Sequence, residues 1–134
     1  MKMMVCYDGG EGSQWALALA IQHVKVFDAE LYLVASLEKG TDAEQALIDH
    51  LQSELGKARE KLEQQGLACT THLLVRGLTP GEDMVAYAKE NQIDQVVIGV
   101  RRKSKMGKLI FGSTAQYLIL KAPCPVLTVN HQPS

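Results

Sequence analysis

No acidic residue occurs after Asp94: all fifteen Asp and Glu lie at or before it, with only eight of the fourteen Lys and Arg. The last forty residues hold the other six cations and no acid. A uniformly basic protein would suggest nucleic acid; a basic C-terminal third on an acidic body indicates one local anion site. Cysteine is scarce. Cys6, Cys69 and Cys124 are odd in number, form no Cys-x-x-Cys pair and sit in apolar runs, so buried, reduced thiols are expected rather than a disulfide framework. His23, His50, His72 and His131 are scattered without ligand spacing, which argues against a metal site. No apolar run approaches membrane-spanning length, and the opening MKMMVCYDGG turns polar too early for a signal peptide. A cytoplasmic protein with no membrane partner is expected. The zinc-hydrolase HExxH, the nucleophile elbow, the Walker GxxxxGK[ST] and the dinucleotide GxGxxG are all missing, and Gly9-Gly10-Glu11-Gly12 only loosely resembles the last.

What is present fits one globular domain over residues 1–134, with 46% hydrophobic residues to build its core. Short apolar segments at residues 3–7, 31–36, 69–75, 94–99 and 125–129 read as strands. LYLVAS at 31–36 is almost unbroken in its apolar character, which suits a parallel sheet covered on both faces. Helical segments alternate with them. Ser13 can cap a helix to about Phe27, with Trp15, Leu19 and either Ala16 or Ala20 on one face. From about Asp42 to Gln65, Leu47, Leu51, Leu55, Ala58 and Leu62 recur at helical spacing, and Gly66 is a stop signal. Thr79-Pro80 fits an N-cap and first helical position, with Met84, Val85 and Ala88 turned inward. A last helix after Gly112 carries Ala115, Leu118 and Ile119 and ends near Ala122-Pro123. Strands and helices alternating in this way imply right-handed βαβ units.

The stretch from Val96 to Thr114, VVIGVRRKSKMGKLIFGST, concentrates the chemistry. A strand breaks at Gly99, a loop follows with Arg101, Arg102, Lys103, Lys105 and Lys108, and Gly112-Ser113-Thr114 stands where a helix begins. Glycine lets backbone N–H groups approach an anion, the helix start carries positive partial charge, and the hydroxyls donate hydrogen bonds. Ser113 and Thr114 also fit simple N-caps, whose geometry is the same. In an open α/β sheet such loops lie at the C-terminal strand ends, where ligands bind. The loop after the first strand adds Asp8, and residues 35–37 add a backbone wall, a set suited to a nucleotide. No aromatic residue interleaves with the basic run, so a nucleic-acid stacking platform is missing.

Over nearly its whole length the chain resembles the universal stress proteins, small adenine-nucleotide-binding α/β domains. The resemblance rests on Asp8 with its Gly/Ser turn (DGGEGS), Gly77 with its nearby proline, the segment Asp94-Gln95-Val96-Val97-Ile98-Gly99, and the ending APCPVLTV. ATP-binding members carry G-x2-G-x9-G-[ST]; Gly99, Gly112 and Ser113 reproduce that spacing, while Arg102 replaces the second glycine. An arginine there either blocks the backbone's approach to phosphate or supplies a bidentate contact, and the adjoining Arg101 and Lys103 favour the second. The architecture expected is an open, Rossmann-like, five-stranded parallel sheet in the order 3-2-1-4-5 with helices on both faces.

The function implied is binding of ATP or another adenine nucleotide, with Mg²⁺ as a companion ion, by a regulatory or protective module. By the same resemblance Asp8, with Gly9 beside it, faces the adenosine, and backbone around Ser36 meets the adenine edge. Ile98 and Gly99 line the ribose–phosphate side, while Arg101, Arg102, Lys103, Gly112, Ser113 and Thr114 serve the phosphates. A homodimer pairing Pro125, Val126, Leu127, Thr128 and Val129 across a two-fold axis is also implied, and it would cover an apolar edge strand. Two alternatives stand beside this: a homodimeric interaction module without nucleotide, and a slow ATP hydrolase for which Asp8 is the one carboxylate in reach. No catalytic residue is assigned.

Overall fold

The computed structural model describes residues 1–100 and 112–134. Five strands, β1 (Lys2–Cys6), β2 (Glu30–Ser36), β3 (Cys69–Leu74), β4 (Gln95–Gly99) and β5 (Val126–Val129), form one all-parallel sheet in the order β3-β2-β1-β4-β5. Among the described residues, the α-helices between them are α1 (Glu11–Phe27), α2 (Gln45–Gln64), α3 (Pro80–Glu90) and α4 (Ser113–Lys121). The expected strand order is the observed one.

Strand alternation divides the core into two layers. Met3, Val5, Leu31, Leu33 and Val97 face α1 and α2, whereas Met4, Cys6, Val34, Val96 and Ile98 face α3 and α4. Each of these side chains is at most 9% exposed, which is why the inner strands read as nearly continuous apolar runs. Each fully buried Met, Leu or Val contributes about 1.5–3 kcal/mol of transfer free energy.

The helices begin and end largely as their sequences dictate. Thr79 caps α3 through a capping box: its hydroxyl accepts from Glu82 N–H at 3.4 Å, and the Glu82 carboxylate accepts from Thr79 N–H at 3.1 Å. α2 closes at Gly66, whose N–H donates to the Glu63 carbonyl while Leu67 N–H donates to that of Leu62, a Schellman pairing. Three expectations change. Ser13 is not the cap of α1; Gly10 is, and the chain turns into helix three residues earlier. The stripe of α1 against the sheet is Ser13, Ala16, Ala20 and Val24, with Trp15 and Leu19 half-buried at its margin, because this helix lies too close to the sheet for large residues beneath it. Leu47 is 43% exposed and Ile119 48% exposed. A short 3-10 turn (Asp42–Glu44) delays burial on α2 to Leu51, and the nine-residue α4 buries only Ala115 and Leu118.

Candidate functional site

β1 and β4 are neighbours in the sheet, yet their chains depart in opposite senses: α1 leaves β1 toward one face and α4 leaves β4 toward the other. The crevice above this switch point holds a cavity of about 960 Å³, of the size that accommodates small organic ligands. The structure brings Asp8, Ser36, Ile98, Gly99, Gly112, Ser113 and Thr114 together in its lining. Gly9 is not among the lining residues; its φ of +86° makes the turn out of β1, and the Glu54 side chain occupies the space a β-carbon would need. Arg101, Arg102 and Lys103 lie outside the described residues, as do Lys105 and Lys108.

Local hydrogen bonds shape the Asp8 turn. Asp8 Oδ1 accepts from Gly10 N–H at 2.8 Å, and the Ser13 hydroxyl lies 2.9 Å from both Asp8 Oδ1 and the Gly10 carbonyl. Asp8 Oδ2 accepts no hydrogen bond from the described residues. Gly10 and Gly112, the N-caps of α1 and α4, both lack a side-chain cap, and both line the cavity. Two helix starts therefore aim partial positive charge and backbone donors at the same space. Gly12 meets the backbone of Gly99 at van der Waals distance, so α1 sits directly on the end of β4.

The opposite wall is apolar. Leu51 from α2, Pro80 and Met84 from α3, and Trp15 from α1 also line the cavity. Nothing in the sequence marked these four as site residues: they carry ordinary core and cap signals, and only the packing of three helices around the sheet brings them to one crevice. Cys6 lies beneath the cavity, where burial first and then the Asp8 charge push its thiol up to about 12. Tyr7 beside it is also raised, by burial and by Glu54 and Asp8. Neither group ionises near neutrality, so the floor of the site is uncharged. Cys69 and Cys124 are half-buried rather than buried, because each lies at the margin of the packed layers. All three thiols are free.

Sequence reasoning also missed a charged network next to Ser36. Asp83, fully buried in the first turn of α3, accepts from the Ser36 hydroxyl at 3.1 Å and from Arg76 Nε at 2.6 Å. Arg76 reaches on to both carboxylate oxygens of Glu90, at 2.9 and 3.1 Å. The hydrogen bond to Glu90 is the largest influence and raises the Arg76 guanidinium above its already high value; burial opposes it, and the contacts with Asp83 raise it further. An acidic residue at a helix start was the available signal, but it reads equally well as helix-dipole complementarity.

Comparison with known proteins gives a consistent answer. The sequence matches the universal stress protein family over residues 1–130. A universal stress protein of Methanocaldococcus jannaschii is 32% identical, over 96% of this chain and 81% of its own length. The structure of a universal stress protein from Archaeoglobus fulgidus aligns with a TM-score of 0.85 at 32% identity, covering 95% of this chain and 96% of that one. A structure of the universal stress protein from the same organism in complex with dAMP aligns with a TM-score of 0.75 at 27% identity, covering 95% and 94%.

Proposed function

The chain belongs to the universal stress protein family, and from that premise we propose that it binds ATP or a related adenine nucleotide as a regulatory or protective module of the stress response. The observation that carries this reading is the convergence of two helix N-termini, neither capped by a side chain, on one cavity at the switch point of the sheet. Gly112, Ser113 and Thr114 would hold phosphate oxygens with the cations of the 101–103 run. Ile98 and Gly99 would line the ribose side, Asp8 would face the adenosine with its Oδ2, and the base would lie between Leu51 and Met84. The dAMP complex of the 27% identical relative supports an adenine nucleotide as the ligand. Mg²⁺ would accompany a triphosphate.

A binding module fits the site better than a hydrolase. Asp8 already spends Oδ1 on the turn that shapes the loop, and the other carboxylate in the lining, Glu11, sits in the first turn of α1, where the helix dipole favours it. The protein would act in the cytoplasm as a homodimer, pairing Pro125, Val126, Leu127, Thr128 and Val129 across a two-fold axis. β5 supports this, since it is an edge strand with Val126 and Leu127 only half-buried.

Calorimetric titration of the purified protein with ATP, ADP and AMP tests the reading. Saturable binding that weakens in Asp8→Ala is expected. A folded protein that binds none of the three overturns it. Sedimentation showing a monomer at micromolar concentration would overturn the dimer alone.

A further inference from the structure

Ser36 ends β2, and Gly99 ends β4; β1 lies between them, so the two positions are about 10 Å apart across the sheet. The helix starts and glycine backbone that suit phosphate cluster on the β4 side. The β2 side is walled by Leu51 and Met84, whose helices α2 and α3 both pack on β2. A nucleotide lying along this crevice therefore puts its base toward Ser36. That placement rests on the adenine-nucleotide reading above.

The Ser36 hydroxyl is not free to adapt to whatever base arrives. Asp83 is fully buried, and its carboxylate is paired with Arg76 through Oδ1, so Oδ2 acts as an acceptor toward Ser36. A serine hydroxyl has one proton. Once that proton is committed to Asp83, the oxygen of this cavity-lining residue has only lone pairs left for a ligand. Lone pairs there match an amino group and oppose a carbonyl oxygen. Adenine carries an amino group at its 6-position, whereas hypoxanthine and guanine carry an oxygen.

We propose that Ser36, with its hydroxyl oriented by the buried Asp83, is the residue that selects a 6-amino over a 6-oxo purine. Ser36 is the specificity-determining group, and Asp83 is a positioning residue that acts through it. Arg76 holds the carboxylate in turn.

The test compares AMP with IMP by calorimetry, because the two share ribose and phosphate and every contact to those parts cancels in the ratio of affinities. Wild-type protein is expected to prefer AMP by roughly tenfold, the scale of one polar mismatch in a largely dry site. Ser36→Ala removes the oriented acceptor and should lower the ratio about threefold or more toward unity, with the fold retained. In Asp83→Asn the amide can donate to Ser36, which frees the serine proton to point at the base and moves the preference toward IMP. A purely structural role for Ser36 would leave the ratio unchanged.

If Asp83→Asn does not fold, Ser36→Ala decides alone. AMP binding with a ratio near one in the wild type, a wild-type preference for IMP, or an unchanged ratio in Ser36→Ala each overturns the selector and leaves the nucleotide reading standing. Failure of the folded wild type to bind AMP at all overturns both.

Discussion

Gly12 of α1 and Gly99 of β4 touch backbone to backbone, and the contact is asymmetric. A β-carbon on Gly99 would fall inside the Gly12 carbonyl group, whereas one on Gly12 would sit at an ordinary 3.6 Å from Gly99 Cα. Gly99→Ala should therefore push the start of α1 off the sheet and cost about 1–3 kcal/mol, as overpacking does. Gly12→Ala should be tolerated, within about 1 kcal/mol of wild type and on the stabilising side. Urea unfolding of the two variants checks the contrast; equal effects would show that the close approach is not tight.

Arg76 holds two carboxylates of very different exposure. Removing it by Arg76→Ala leaves buried Asp83 with the start of α3 and, among the described side chains, only the Ser36 hydroxyl to oppose its charge. The expected loss is about 2–3 kcal/mol, below the ~3–5 of a wholly buried pair because Arg76 is itself 34% exposed. Glu90→Ala removes a partner that is 52% exposed and should cost less than about 1 kcal/mol. Denaturant midpoints for the two variants should fall in that order, and the reverse order would contradict the assignment.

The thiols should react in a fixed order. At pH 8 a thiol with a pKa of about 12 is ionised in roughly one molecule in ten thousand, and Cys6 is also shielded by the core. Iodoacetamide should label half-buried Cys69 and Cys124 first and reach Cys6 only on unfolding. Peptide mass spectrometry against time reads this directly. Early labelling of Cys6 would mean that the cavity floor opens readily.

Stability should fall on the alkaline side. Cys6 is raised from 9.0 to about 12 and Tyr87 from 10.0 to about 12, in both cases chiefly by burial. Between those values the native chain keeps protons that the unfolded chain has released. The unfolding free energy therefore decreases with rising pH through this window. Melting temperatures should decline from about pH 9 upward and continue down to pH 12. A flat profile there would show that these groups ionise without cost in the folded state.

Much of the site was legible because its signals are local. Asp8, Gly99, Gly112, Ser113 and Thr114 stand at strand ends and a helix start, and those positions follow from apolar spacing and from glycine. Residues 35–37 followed from the end of an apolar run, and Ser36 within them from the family resemblance. The turn at Thr79-Pro80 was legible for the same reason, since a capping box is written within four consecutive residues. Trp15 misled, because its size suggests a core anchor, whereas the close approach of α1 to the sheet puts Ser13, Ala16 and Ala20 beneath the first turns of the helix and Val24 near its end. Leu47 misled in a similar way: periodicity records which face a residue is on, not whether the sheet extends beneath it.

The sequence by itself determined the alternation of strands and helices, the parallel sheet and the basic, glycine-bounded segment that follows β4, because each depends on spacing within a few residues. Only the tertiary structure decided that Asp83 lies under Ser36, that Arg76 joins Asp83 to Glu90, and that Leu51 and Met84 close the same crevice. Ser36 and Asp83 are 47 residues apart in the chain. Their meeting depends on how α3 crosses β2, which is set by the packing of the whole layer of side chains between them rather than by any local pattern.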